Sequence, residues 1–180
     1  MTTTDLDIPA LEQALAGKVI GHRVHYHQEL GSTMDETRLM AQAGAAEGTV
    51  VIAEEQTAGR GRFNRAWISP RGLNLSFSVL LRPTSAQLPY MNMAATLAVA
   101  RTVSDVAGLS PTIKWPNDVR VGGLKISGIL MHLGSFLSHS IRSLRNLDIW
   151  RPVRAATSTY SDYDSNNGIS WTHVTTTKKQ

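Results

Sequence analysis

The run Thr49-Val50-Val51-Ile52-Ala53 leads through Glu54-Glu55-Gln56 into the loop Gly59-Arg60-Gly61-Arg62-Phe63-Asn64-Arg65-Ala66-Trp67. Branched Cβ atoms are stiff at χ1 and fit a pleated surface, so the run predicts a buried strand. The loop it feeds carries three arginines and two glycines before its tryptophan. Glycine lets backbone approach a ligand closely, and a guanidinium fork pairs well with phosphate. Alone, the loop fits either a phosphate cradle or a solvated basic turn of the arginine/glycine, nucleic-acid-binding kind.

The remaining pattern mixes helix and strand. Asp7 to Ala16 predicts a short helix with Asp7 as N-cap, Pro9 in the first turn and Gly17 as its stop. His22 to His27 reads as extended, and a second helix starts at Ser32 or Thr33, with Asp35 and Glu36 in its first turn and Gly44 at its end. Residues 73–80 alternate apolar and polar, which predicts a strand with one buried face. Leu88 to Val106 is the strongest helix; Thr112 to Trp115 is a short strand stopped by Pro116. Val119 to Val121, Gly122-Gly123 and Lys125 to Met131 read as a hairpin. The fold class expected is α+β: a mixed, largely antiparallel sheet with helices packed on one side.

At 180 residues the chain suits one well-buried domain. Past His132 the character changes: 14 of the 48 residues from Leu133 onward are Ser or Thr. The expected division is a domain over 1–132 and an atypical polar tail over 133–180. Within the tail, Ser138 to Asn146 could form a weak basic helix, Thr157 to Asn167 reads as turn-rich, and Thr175 to Gln180 as a loose end. There is no cysteine, which removes disulfides and thiolate chemistry. No apolar run approaches the ~18 residues that cross a bilayer, and Met1 to Asp5 lacks a basic leader, so a cytoplasmic protein without membrane attachment is expected. The net charge of +4 favours anionic ligands modestly.

Ser32-Thr33, Gln56 with the arginine loop, Lys114 to Asp118, and Lys125 with Gly128 all stand at predicted element ends, where sites are usually built. Ser, Thr and Gln can hydrogen-bond a polar head group, the arginines can hold phosphates, and Asp118 could bind Mg²⁺. Lys125 offers a positive charge to an oxyanion or a carboxylate. Such a set suits an enzyme that joins a carboxylic acid to a nucleotide. Plainer readings stand beside it. Trp67 and Trp115 could be core, Gln56 and Ser32 could cap strand ends, Lys114 could be solvated, and Glu54 or Glu55 could pair with the arginines. His25 and His27 share a strand face but lack a clear third metal ligand.

The stretch Ser32-Thr33-Met34, Gln56 followed by Gly59 to Trp67, Lys114-Trp115-Pro116-Asn117-Asp118, and Lys125-Ile126-Ser127-Gly128-Ile129-Leu130 occur together in an order that resembles the catalytic domain of biotin–protein ligases. The likeness covers roughly Lys18 to His132. Met34 stands where the family has asparagine and Asn64 where its loop has glycine, and the tail lacks the family's downstream pattern. The resemblance implies the biotin–lipoate ligase fold, related to class II aminoacyl-tRNA synthetases, with no DNA-binding module ahead of Leu6. It implies biotin and ATP as substrates with Mg²⁺, and the carrier domain of a carboxylase as partner, with no nucleic acid expected. Biotin would be bound by Ser32, Thr33, Met34, Gln56, Arg60, Gly61, Arg62, Lys125 and Gly128. Arg60, Arg62, Arg65, Trp67 and Asn117 would serve nucleotide and phosphate. Lys125 and Arg62 would be catalytic, and Asp118 the metal ligand. Two other readings remain: a lipoate or octanoate transferase, and a domain that binds biotin or its adenylate without turnover.

Overall fold

The computed structural model describes residues 6–133 throughout and the backbone of residues 170–177. Its elements are α1 (Ile8–Leu15), β1 (Arg23–Leu30), α2 (Thr33–Gln42), β2 (Thr49–Gln56), β3 (Asn74–Leu81), α3 (Leu88–Ala107), β4 (Pro111–Lys114), β5 (Asp118–Val121), β6 (Leu124–Leu133) and β7 (Ser170–Thr177). The strands form one seven-stranded sheet in the order β1-β2-β3-β7-β6-β5-β4. β1 and β2 run parallel across the α2 crossover, and every other pairing is antiparallel. The expected mixed, largely antiparallel α+β class is therefore what the chain adopts.

Local sequence explains the elements. Asp7 accepts a hydrogen bond from the Ala10 amide at 3.0 Å, which caps α1 as expected. α3 ends on Gly108, in the left-handed conformation at φ 63°. β5 and β6 join through Gly122-Gly123, both at positive φ, which suits a two-residue hairpin turn.

Adjacent strand residues face opposite ways, so the clusters sort the helices by side. Met34 and Ala41 of α2 pack with Leu80 on one face. On the other, α3 brings Ala100 to Val119 and Ile129, while Leu11 of α1 joins Val50, Ile52 and Val79. Helices α1 and α3 thus share one side, whereas α2 lies alone on the other, so the helices cover both faces rather than the one expected. β3 corrects a simpler expectation: its polar face is covered too, since Ser76 and Ser78 are fully buried, Ser78 against Thr33 of α2 and Ser76 against Ser69.

β7 is a second correction. Residues 175–177, expected as a loose end, belong to a strand that pairs with β3 on one side and β6 on the other. The Ser/Thr richness that suggested a loop also supplies β-branched threonines, which suit a strand. The helix and turns expected within 138–146 and 157–167 lie outside the described residues. The register aligns one residue from each strand in a row: His27, Ala53, Ser76, Thr175, Gly128, Asp118 and Lys114. Ala53, Ser76 and Gly128 give this row small residues, on the face where Leu80 and Leu130 meet α2.

Candidate functional site

The arginine loop is itself a small hairpin. The Trp67 amide donates to the Gly59 carbonyl at 2.9 Å, and the Gly61 amide to that of Arg65 at 2.8 Å. At its base, the amides of Thr57 and Ala58 bond the carbonyls of Leu30 and Gly31. A Cβ on Gly59 would sit 2.6 Å from the Trp67 carbonyl oxygen, so the hairpin closes only with glycine there. Its tip is a 3₁₀ turn, Arg62–Asn64, with Phe63 and Asn64 at φ 58° and 56°. Asparagine tolerates that region well; phenylalanine does not.

Toward the β1-β2-β3 end of the sheet, Gln56 ends β2 and is buried. Its Oε1 accepts from the Thr33 amide at 2.9 Å and from the Thr33 hydroxyl at 3.2 Å, while its Nε2 donates to the Ser69 hydroxyl at 3.4 Å. Thr33 Oγ1 also meets Ser78 Oγ at 2.9 Å. Gln56 therefore satisfies the first turn of α2, which Ser32 does not cap with its own side chain. Ser32 and Thr33 are buried beside it. Met34, at 7% exposure, packs with Ala41 and Leu80, because the first helical turn aims it toward the core.

Toward the β6-β5-β4 end of the sheet, Lys125 Nζ lies 2.7 Å from Asp118 Oδ1 and 5.1 Å from the centroid of the Trp67 ring. Lys125 and Gly128 are three apart, which on a regular strand puts them on opposite faces. A bulge at Ile126 changes that: Val119 pairs with Ser127, but the next residue, Arg120, pairs with Lys125. The extra residue turns Lys125 to the face of Gly128 and Asp118. A Cβ on Gly128 would meet Lys125 Nζ at 3.0 Å and Trp67 Cη2 at 3.3 Å, so this bare backbone is the floor on which both rest.

Asn117 joins the two parts. Its Oδ1 accepts from Arg62 Nη1 at 3.0 Å, its Nδ2 donates to the Ile129 carbonyl at 2.9 Å, and its own carbonyl accepts the Ile129 amide at 2.9 Å. The Arg62 guanidinium also lies 5.1 Å from the centroid of the Phe63 ring. Arg60 is held differently, by a partner the sequence did not suggest: Asp35 of α2, whose two oxygens accept from Nη2 at 2.5 Å each. Glu54, one of two acids offered as an alternative partner for the arginines, accepts instead from the Tyr26 hydroxyl and the Leu6 amide. Asp35 was masked by its position, where an acidic residue serves the helix dipole in any case.

The structure thus gathers Thr33, Gln56, Arg60, Gly61, Arg62, Trp67, Asn117, Asp118, Lys125 and Gly128 around the small-residue row and the hairpin. Arg65 lies exposed past the hairpin tip. Trp115, at 69% exposure, is not core, and Lys114 is exposed at the row's end. Beside the hairpin opens a hollow of about 630 Å³ lined by Gln56, Gly59, Arg60, Trp67 and Ser69 among others. Among the described residues no three His, Cys, Asp or Glu side chains cluster as a metal site, so His25 and His27 gain no third ligand. No helix there is long and apolar enough to cross a membrane. Next to Asp35 and Arg60, the His132 imidazole is held below its ordinary value of 6.5 by burial, then by Arg38 and Arg60 against the opposing pull of Asp35.

Comparison with known proteins bears on what this arrangement does. Residues 28–141 match the Biotin/lipoate A/B protein ligase family. The chain is 39% identical over 121 residues to the bifunctional ligase/repressor BirA of Bacillus subtilis, covering 66% of this chain and 37% of that protein. It is 36% identical over 143 residues to the biotin–[acetyl-CoA-carboxylase] ligase of Mycobacterium tuberculosis, covering 72% of this chain and 54% of that one. The biotin protein ligase of Leishmania major, solved with biotinyl-5-AMP, superposes with a TM-score of 0.61 at 25% identity, over 86% of this chain and 56% of that one. The chain thus spans between about a third and just over half of the length of these relatives.

Proposed function

This chain belongs to the biotin/lipoate A/B protein ligase family, and we propose that it is an ATP-dependent biotin–protein ligase. The observation that carries the reading is the placement of Lys125, fixed between Asp118 and the Trp67 ring above the bare backbone of Gly128. A cation held there, under a hairpin with two further guanidinium groups, suits a site that brings a carboxylate and a phosphate together.

In the first step a carboxylate oxygen of biotin attacks the α-phosphorus of ATP. The new O–P bond forms as the α–β bridge breaks, and pyrophosphate leaves with biotinyl-5′-adenylate remaining. In the second, a lysine amine of a carboxylase's carrier domain attacks the acyl carbon; the C–N bond forms, AMP departs and the amine loses a proton. Negative charge gathers on the phosphate oxygens in both steps, and fixed cations aimed at them do the largest share of catalysis. Lys125 and Arg62 take that role, with Arg60 and Arg65 adding charge from the hairpin. Ser32, Thr33 and Gln56 offer oriented polar groups to the biotin ring, and the Gly61 backbone and the Trp67 ring cover the acyl-phosphate. Asn117 acts through Arg62, which it anchors to β6.

Magnesium fits only in part. Asp118 is the carboxylate at hand, already paired with Lys125, so the ion would be held by Asp118 and chiefly by the triphosphate it arrives with. It would supply charge neutralisation to the leaving pyrophosphate. A cytoplasmic setting, with ATP at hand, is part of the same reading.

The test is intact-mass analysis of a biotin carrier domain after incubation with this chain, biotin, ATP and Mg²⁺, with lipoate in a parallel arm. One biotinyl group added, together with pyrophosphate release, is the expected result. Labelling by lipoate alone, or no release of pyrophosphate with either acid, overturns the reading.

A further inference from the structure

Arg60 is held from a direction that the reaction itself does not explain. One nitrogen, Nη2, reaches both oxygens of Asp35, and the pair lies at the surface with side-chain exposures of 38% and 39%. A surface ion pair adds little to stability. Its geometry is nevertheless well fixed on both sides. Asp35 sits in the first turn of α2, whose opening amide is pinned by Gln56, and Arg60 pairs as an isolated bridge with Ala66 in the hairpin. Arg60 also lines the hollow beside the hairpin, together with Gln56, Gly59, Trp67 and Ser69. A guanidinium has five N–H donors in a rigid fork, so gripping one corner orients the others without using them up.

We propose that Asp35 is a positioning residue, holding the Arg60 guanidinium so that its remaining donors face the hollow, ready for the phosphate of an acyl-adenylate. The inference rests on the ligase reading above and adds to it a residue outside the motifs that carry the resemblance. It makes the contribution of Asp35 conditional on two things: a phosphate on the ligand and an arginine at 60. A residue that only supported the helix would depend on neither. Pre-orienting a flexible side chain lowers the ordering cost that binding must otherwise meet.

Isothermal titration separates these roles, using biotin and a non-hydrolysable biotinyl-adenylate analogue that keeps the phosphate. Asp35→Asn should weaken the analogue by roughly tenfold, as expected for loss of one charge-assisted contact, and leave biotin within about twofold. Asp35→Glu should recover part of the loss. In an Arg60→Ala background, Asp35→Asn should change nothing further. Equal weakening of both ligands, unchanged binding of the analogue, or a loss that persists without Arg60 overturns the proposal while leaving the ligase reading in place. A wild-type chain that binds neither ligand overturns both.

Discussion

Lys125 rests on Gly128: a methyl group on that Cα would lie 3.0 Å from both Cε and Nζ of the lysine. Gly128→Ala should therefore move the lysine rather than the strand, because the far end of a flexible side chain yields before backbone does. Thermal unfolding should change little, by about 1 kcal/mol or less. Pyrophosphate release should drop by roughly tenfold or more, because misplaced catalytic groups are costly. A variant that loses stability heavily but keeps its turnover would contradict this account of the glycine.

Lys125→Met keeps the aliphatic stem against Trp67 and deletes the charge. A fixed cation at a developing phosphoryl charge contributes on the order of 10²–10³ in rate. The first step should slow by about that factor, measured as pyrophosphate release. Stability should stay within about 1 kcal/mol, because the side chain of the lysine is a third exposed.

Asn117 should show two separable effects. Asn117→Ala removes the donor to the Ile129 carbonyl and the acceptor for Arg62. Leaving a buried carbonyl without its partner costs about 1–3 kcal/mol, visible as a lower urea midpoint at constant slope. Asn117→Asp keeps the acceptor and loses the donor. It should lose comparable stability but retain more turnover than the alanine variant.

His132 gives a pH dependence whose sign follows from its lowered pKa. The folded state binds the proton less readily than the unfolded chain, whose imidazole titrates near 6.5. The stability contributed is thus fully present above that pH and is lost as pH falls through the lowered folded value. Chemical denaturation at pH 7.5 and 5.5 should show wild type losing stability on acidification. His132→Gln should flatten that loss, and an unchanged slope would show that the imidazole is not its source.

Much of this was legible in the sequence where local physics speaks alone. The cap at Asp7, the β-branched run of β2 and the Gly122-Gly123 turn each name their own structure. The motif residues could be gathered by type, since arginine, lysine and small polar groups suit an acyl-phosphate. What could not be read was anything fixed by register. The bulge at Ile126 decides which way Lys125 points, and no pattern of residues announces it. Met34 was placed by motif alone, which says nothing of its packing against Ala41 and Leu80. Asp35 was placed by helix chemistry and is found holding Arg60. β7 escaped because threonine is equally at home in a loop and in a strand.

β7 pairs with both β3 and β6, so it is the seam between two half-sheets, β1-β2-β3 and β6-β5-β4. The half-site with Thr33 and Gln56 stands on one side of the seam, and the half-site with Lys125 and Asp118 on the other. On a ribosome both halves emerge before the strand that joins them. The sheet beneath the site is therefore completed last, by pairings that are far apart in sequence and slow to form. A change confined to that one strand would misalign the two half-sites without touching a residue in either.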